Sequence, residues 1–491
     1  MFAFKTNEAI CNADVPKSEW PKFDAIPEPR MVCLYSGNGS GSKLYQSLLD
    51  AHPEIYMVPA YPLMYLYPHW NQWQSELAAD FQWPAIIDTF CIKHATLIDS
   101  RRIQSFDGMT KLGDNLDQHL EIDEDLFKSF LNHILVNQVV CARTFLLAVH
   151  YAYAFCRNEV LSTKKVLVYH IHVPWYVIEY LALDFPDMKI LGMVRDPRAN
   201  LPGRHSSNTS GDFDRLNKTD AIIFQQQAYR FSLRYLLEGL DVLEGMPMDQ
   251  VRMVRHEDLH HKLEEVMKAS ARFLGISYSP CLTQLTFGGL KWWGDPVYNM
   301  APMNIVNPRV VSKDWQKRIS IRDWFVIEGL MFHYLKRYGY EPMKFVERTF
   351  SNQCVLFFAM LLPTKIEIDE LGRFIKLSGI RDFWNASLNE ASGRTELKNY
   401  GFNAFYRHKW THKHLSLWCP KWYVKLLLRS RHSNSVAFRA AAQTIYVTAS
   451  AFRFSMALIT YPLTIMKRWA VSISSFKRQL QNNNILPDLL H

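Results

Sequence analysis

Residues 31–54, MVCLYSGNGSGSKLYQSLLDAHPE, are the stretch that most constrains the fold of this chain. The stretch opens with a short apolar run, Met31–Tyr35, which is typical of a buried strand. A loop with glycines at positions 37, 39 and 41 follows, and from Ser40 the apolar residues recur at helical spacing. A strand, a glycine-rich loop and a helix N-terminus can hold a phosphate, because backbone N–H groups surround the anion and the helix dipole adds positive potential.

The loop departs from the two common nucleotide-binding signatures. Gly37 and Lys43 have the separation of a Walker A loop, but Ser42 stands where the second glycine belongs. Leu44 replaces the hydroxyl that would bind Mg²⁺, and the glycines lack the G-x-G-x-x-G spacing of a dinucleotide site. From the loop alone, an anion site and a plain strand-to-helix turn both stay open.

Strands and helices alternate along residues 55–338. Strands are predicted at Ile55–Val58, Val166–Ile171, Met188–Val194 and Val251–Val254. Helices are predicted over 123–156, Trp175–Asp184, Ile222–Leu243, Leu259–Leu274 and Asp323–Tyr338. This alternation predicts an α/β fold with a mostly parallel central sheet flanked by helices.

Chemically useful residues follow several of the predicted strands. The glycine loop, His172 and Arg195 each come just after one. Ligands of parallel sheets bind beyond the carboxyl ends of the strands, so we expect these residues at one edge of the sheet. We find no spacing of carboxylates or histidines that would hold a metal ion. The aromatic-rich segment Tyr61–Trp83 is expected to pack in the core, with stacking on a substrate such as a sugar ring as the alternative.

Several motifs over residues 30–342 together resemble those of the sulfotransferases that use 3′-phosphoadenosine 5′-phosphosulfate (PAPS). Ser40-Gly41-Ser42 is similar to the Ser-Gly-Thr of the family's 5′-phosphosulfate loop, with Gly39 at a position that is usually basic. Lys43 is the candidate for the missing cation. The resemblance implies that the loop binds the cofactor through Gly37, Asn38, Gly39, Ser40, Gly41, Ser42 and Lys43.

His170-Ile171-His172-Val173-Pro174 resembles the Lys-Thr-His-Leu-Pro segment of the cytosolic branch of that family. The resemblance implies that His172 is the catalytic base. It places His170 where the family has a lysine that stabilises the transferring sulfuryl group. Alternation along a strand puts residues 170 and 172 on the same face, so both could face the cleft.

Later segments resemble the rest of the nucleotide site. Arg195-Asp196-Pro197-Arg198 looks like the motif whose first arginine binds the 3′-phosphate, and Gly203 occupies the place of the family's serine, so Arg204, Ser206 and Ser207 are its candidate replacements. Arg255-His256-Glu257-Asp258-Leu259 is similar to a segment near the adenine, with His256 at the aromatic position. Arg309 and Trp315 resemble the stretch that closes over the nucleotide.

The resemblance implies a P-loop-like sulfotransferase fold that passes a sulfuryl group from PAPS to a hydroxyl of a carbohydrate, lipid or small metabolite, with 3′,5′-ADP as product. The predicted domains are an N-terminal arm at 1–29, a sulfotransferase domain at 30–345 and a mainly helical extension at 346–491. Two alternatives stay open: an NTP-using, kinase-like enzyme, and a catalytically retired sulfotransferase fold that binds a membrane or another partner.

The charge distribution and the cysteines bear on the expected partners and cellular location of the protein. The net charge is +9, yet residues 401–480 contain 13 Lys and Arg and no Asp or Glu. This aromatic-rich, basic region, 402–478, is expected either to pack on the catalytic domain or to lie on an anionic membrane surface, with nucleic acid less favoured. Eight scattered cysteines without a C-x-x-C pair, and an N-terminus without a signal-like apolar segment, favour a cytoplasmic protein, peripheral at a membrane if the basic region binds one.

Overall fold

The computed structural model describes residues 12–36, 39–59, 62–64, 66–102, 108–171, 176–200, 247, 249–294, 313–317 and 319–361, with ten positions between 435 and 455. The described residues fall into two compact units. One contains those up to residue 315 and the other those from residue 316 onward. The predicted boundaries at 29/30 and 345/346 stay predictions.

The first unit is built around a parallel sheet. Its strands are β1 Arg30–Ser36, β2 Ile55–Met57, β3 Val166–Ile171, β4 Lys189–Val194 and β5 Val251–Arg255. The strand order is β2-β3-β1-β4-β5, and all of these pairings are parallel. The α/β fold class with a parallel central sheet is therefore confirmed, and the glycine loop follows the central strand.

Helices link the strands of the first unit. In the described part of that unit they are α1 Ser42–Leu49, α2 Leu66–Leu77, α3 Trp83–Lys93, α4 Ala95–Ile98, α5 Glu124–Leu135, α6 Ala142–Cys156, α7 Tyr176–Asp184, α8 His256–His261 and α9 Leu263–Leu274. A short antiparallel pair, β6 Thr286–Phe287 and β7 Leu290–Lys291, follows α9.

The second unit contains three of the described helices. They are α10 Ile321–Leu330, α11 Phe332–Arg337 and α12 Phe350–Leu361. Short 3₁₀ helices in the described residues of the whole chain are Asn12–Asp14, Lys17–Glu19, Phe23–Ala25, Ala78–Asp80, Leu161–Thr163, Pro280–Thr283 and Lys313–Lys317. Of the described helices, none combines the length and apolar character that crossing a bilayer requires.

The core of the first unit explains why β1 is a continuous apolar run. Residues Met31 to Ser36 are all buried, as expected for a central parallel strand that is covered on both faces. The residues facing α1 alternate along the strands, and α1 covers them with Leu44, Leu48 and Leu49. The shared core on this face includes Val32, Leu34, Val166, Val168, Leu191 and Met193.

Three predicted helices are interrupted in the structure. The helix predicted over 123–156 is two helices, α5 and α6, with an extended Cys141 before the second. Lys262, at φ −139°, separates α8 from α9 within the helix predicted over Leu259–Leu274, although Gly275 ends α9 as expected. Met331 interrupts Asp323–Tyr338. Apolar spacing carries across each break, so periodicity alone could not show them. The predicted helix Ile222–Leu243 lies outside the described residues.

The aromatic-rich segment packs into the core. Trp70, Trp73 and Trp83 are buried and contact one another or the ring of Phe145. The prediction of core packing is confirmed for these rings, while Tyr61 and Tyr65 lie outside the described residues. Trp20 of the predicted N-terminal arm is also buried and contacts Phe130 of α5 and Phe155 of α6, so the described part of that arm is fastened to the domain.

Candidate active site

The glycine loop turns sharply into α1. Gly39 and Gly41 have φ values of 76° and 89°, in the left-handed region that favours glycine. Gly41 is the N-cap residue of α1, so the helix begins at Ser42, two residues later than predicted. Ser40 and Ser42 are buried, and Lys43 is half-buried in the first helical turn. Gly37 and Asn38 lie outside the described residues.

Arg195 contacts this loop from the neighbouring strand. It follows β4 directly, and its Nη1 donates to the carbonyl oxygen of Gly39 at 3.0 Å. The second arginine of the motif is held differently, because Arg198 pairs with Asp196 at 2.8 Å and lies with its Cζ 5.0 Å from the centre of the Trp315 ring. Arg195 is therefore the motif's arginine at the glycine loop. The predicted contacts Arg204, Ser206, Ser207 and Arg309 lie outside the described residues.

His256 reaches the loop from the next strand along. It is the first residue of α8, directly after β5, and its side chain is buried. A methyl group on Gly41 would lie 2.4 Å from His256 Nδ1 and 2.7 Å from Cε1, so the imidazole packs on the bare backbone of the glycine. This contact gives Gly41 a second reason to be glycine besides its positive φ.

The surroundings of His256 favour its neutral form. Burial, the positive charge of Arg195 and the neighbouring His260 hold the pKa of His256 well below its usual range. The rings of His256 and His260 meet edge to face with centroids 4.8 Å apart. Within the described part of the chain, Nδ1 of His256 is buried and has no hydrogen-bond partner.

His170 is held by Gln46, a residue that the sequence motifs did not indicate. It is buried near the end of β3, and its Nδ1 lies 2.9 Å from Gln46 Oε1 in α1. The Gln46 amide is oriented by its own NH₂ group, which donates to the carbonyl of Val58 at 2.9 Å. Oε1 can only accept, so Nδ1 of His170 carries the proton and Nε2 carries the lone pair of the neutral ring.

Ser36 is a second residue of this site that the sequence motifs did not indicate. It ends β1 beside Met193 of β4, on the same face as Leu34, which pairs with His170. Its hydroxyl is fully buried and, among the described residues, has no hydrogen-bond partner. Because side chains alternate along a strand, residues 32, 34 and 36 share one face of the sheet, the face that α1 covers. This alternation could have indicated from the sequence that Ser36 lies on that face. His172 lies outside the described residues.

The structure thus brings four strand ends together. The loop after β1, His170 of β3, Arg195 after β4 and His256 after β5 occupy the carboxyl edge of one parallel sheet. Positive φ, a helix N-terminus and a nearby guanidinium suit this edge to an anionic ligand.

A protein-family model described as the sulfotransferase family matches residues 38–280. Residues 38–280 belong to the sulfotransferase family. The match begins within the glycine loop of this sulfotransferase region and includes His170, Arg195 and His256. The chain beyond residue 280 lies outside it. Among curated protein sequences, none matches this chain significantly.

Solved structures give distant likenesses. The sulfotransferase domain from the curacin biosynthetic pathway is 15% identical, covers 64% of this chain and 99% of its own, and has a TM-score of 0.36. The sulfotransferase domain from the Synechococcus PCC 7002 olefin synthase is 17% identical, with coverage of 66% and 98% and a TM-score of 0.36. A sulfotransferase from Mycobacterium avium is 11% identical, with coverage of 66% and 78% and a TM-score of 0.28. At these scores the likenesses carry no argument about ligands or residues.

Proposed function

We propose that this chain is a PAPS-dependent sulfotransferase that acts on a hydroxyl of a carbohydrate, lipid or small metabolite. One observation carries the proposal: a glycine loop at the N-terminus of α1 is in contact with both Arg195 and His256. These residues follow three different strands of one parallel sheet, where such folds bind ligands. Family membership makes sulfuryl transfer the reaction class that fits this arrangement.

The residues at this edge fit a nucleotide with two anionic ends. The backbone from Gly39 to Lys43, with Ser42, would surround the 5′-phosphosulfate, because their N–H groups lie at a helix N-terminus. Arg195 would grip the 3′-phosphate, since its planar guanidinium meets phosphate oxygens in a bidentate manner. The buried, unpartnered atoms Ser36 Oγ and His256 Nδ1, which lie in the described part of the site, would gain a polar partner in the ligand.

When bound, PAPS would supply the sulfuryl group. The chain's own residues would accept the proton of the acceptor hydroxyl and stabilise the negative charge on the transferring group. His172, the residue at the base position of the family motif, would take the proton of the acceptor hydroxyl. Imidazole suits this role because it titrates near neutral pH. Lys43 and the loop N–H groups would face the negative charge on the peripheral oxygens.

Nucleotide preference tests the proposal first. We expect adenosine 3′,5′-bisphosphate to raise the unfolding temperature of the full chain, while ADP, or ATP with Mg²⁺, raises it little. A concentration of about a hundred times Kd adds roughly 2.7 kcal/mol to stability, which is readily measured. Arg195→Met should abolish the shift, whereas Arg101→Met, at an exposed arginine paired with Asp99, should leave it intact. A shift with ATP and Mg²⁺ alone would favour a kinase-like enzyme instead.

Turnover tests the catalytic part of the proposal. With PAPS and a panel of hydroxyl acceptors, we expect release of 3′,5′-ADP that is lost in His172→Ala while nucleotide binding persists. Binding of the bisphosphate without turnover on any acceptor class would favour a catalytically retired fold. Equal turnover by the wild-type chain and His172→Ala would show that His172 is not the base.

A further inference from the structure

The glycine loop carries glycine where related loops carry a cation. Gly39 stands at that position, and its carbonyl accepts a hydrogen bond from Arg195. Backbone N–H groups and a helix dipole alone leave much of a doubly charged phosphate uncompensated. Arg195 supplies part of the missing charge, and a further positive group close to the loop would compensate more of it.

His256 is the titratable group in contact with the turn of this loop. Its imidazole packs on Gly41, the N-cap residue of α1, with a buried Nδ1 that has no hydrogen-bond partner in the described part of the chain. A buried polar atom without a partner is destabilising, and a bound anion would provide the acceptor that a protonated Nδ1 needs.

We infer that His256 takes up a proton when the nucleotide binds and so supplies the positive charge that is missing at Gly39. This inference rests on the proposed function, because the anion it invokes is a phosphate or sulfate group of the nucleotide. It makes nucleotide binding proton-linked: the affinity rises as the pH falls, through a residue that is neutral in the empty protein.

The charged groups around His256 determine whether its imidazole is protonated before and after the anion binds. Arg195 and His260 oppose protonation of the empty site, and burial adds to their effect. On α8, Glu257 accepts from the backbone N–H of Asp196, and Asp258 faces Arg255, so both carboxylates are engaged by other groups. Lys43 on α1 adds a further positive charge near the loop. His256 is therefore surrounded mainly by groups that disfavour its charge, until an anion enters.

Lys43 is the competing source of the missing cation. A lysine ammonium is charged throughout the neutral range, so it contributes attraction without taking up a proton. Proton uptake on binding therefore separates the two candidates. A cation supplied by Lys43 predicts no His256-dependent change in protonation.

Isothermal calorimetry of the full chain measures this uptake. Adenosine 3′,5′-bisphosphate is titrated at pH 6.5 to 7.5 in buffers with different ionisation enthalpies, and the dependence of the observed enthalpy on the buffer gives the protons exchanged. The ligand's own phosphates titrate near pH 6, so the reference is His256→Phe, which keeps a ring against Gly41 without a titratable nitrogen. His150→Phe, at another buried imidazole that lies in α6, is the matched control.

We expect the wild type and His150→Phe to take up between half a proton and one proton more than His256→Phe. Equal proton exchange in all three proteins would overturn the inference and leave the proposed function standing. Absence of bisphosphate binding by the wild type would overturn both.

If His256→Phe does not fold or bind, the pH dependence of bisphosphate affinity in the wild type tests the inference instead. It should fall by up to roughly tenfold per pH unit beyond the ligand's own titration as the pH rises, and a flat profile would refute the inference.

Discussion

Replacement of Gly41 by alanine tests the contact on which both proposals depend. An L-residue at a left-handed backbone position costs about 1–2 kcal/mol, and Gly41 has a φ of 89°. The new methyl group would also lie 2.4 Å from His256 Nδ1, closer than any real contact. Because the imidazole is buried, relieving the overlap displaces a packed ring, and overpacking of this kind costs about 1–3 kcal/mol. We expect Gly41→Ala to lose about 2–5 kcal/mol of stability in total.

Gly289 provides the matched control for the backbone contribution. It lies in the same unit with a φ of 73°, and a methyl group there would have nothing within 4 Å. Gly289→Ala should therefore lose only about 1–2 kcal/mol. The expected difference between the two variants, about 1–3 kcal/mol, is the contribution of the His256 contact.

Urea unfolding followed by tryptophan fluorescence measures these differences, and a double variant isolates the contact. In Gly41→Ala/His256→Ala the methyl group has room, so the two substitutions should be less destabilising together than the sum of their single effects, by about 1–3 kcal/mol. Two outcomes would refute the reasoning: equal destabilisation by Gly41→Ala and Gly289→Ala, or strict additivity in the double variant. Either would mean that His256 does not pack on the loop.

Four further predictions follow, three from described residues of the structure and one from the sequence. Burial lowers the pKa of His150 to about 4, so stability should fall by ~3 kcal/mol as the pH drops from 6.5 to 4, and His150→Leu should reduce that loss in acid unfolding curves. Glu328 is fully buried and accepts from Trp324 Nε1 and three successive backbone N–H groups at residues 343–345, so Glu328→Gln should destabilise the second unit by about 3 kcal/mol in urea. Ser36→Ala, which removes a buried hydroxyl without a described partner, should keep or slightly raise stability in thermal unfolding while weakening bisphosphate affinity. The full chain should sediment with vesicles of anionic lipid and not with neutral ones, and about 0.5 M salt should release it, because residues 401–480 carry 13 basic and no acidic side chains.

The sheet was predictable from the sequence because each strand carries its own signal. Apart from His170, Val166–Ile171 is an apolar run bounded by polar residues, and the structure gives the same limits. Helix breaks were not predictable in this way, because the backbone of a single residue such as Met331, at φ −101°, departs from helical geometry while its side chain stays buried and the apolar spacing continues. Apolar spacing records which side chains are buried, and it contains no information on whether the backbone hydrogen bonds continue.

Contacts within the candidate site were the least predictable part. Gly41 and His256 are more than two hundred residues apart, and their contact exists only because β1 and β5 flank β4 in the same sheet. The Gln46–His170 hydrogen bond likewise joins a helix and a strand that are 124 residues apart in sequence. Strand order determines both contacts, whereas local patterns predict strands without giving their order.

The Gln46–His170 hydrogen bond limits what His170 can do in place of a lysine. Nδ1 donates to Gln46 in the neutral and the protonated ring alike, so only the state of Nε2 changes. A neutral His170 can accept a proton or a hydrogen bond at Nε2, and it cannot donate there to a developing negative charge. Only the imidazolium can donate from Nε2 as a lysine ammonium would. The two roles therefore have opposite pH dependences: a base contributes above the pKa of the ring and a charge stabiliser below it. Because Gln46 accepts from both forms, it orients the ring for either role, and the pH dependence of turnover in His170→Gln, compared with that of the wild type, would separate them.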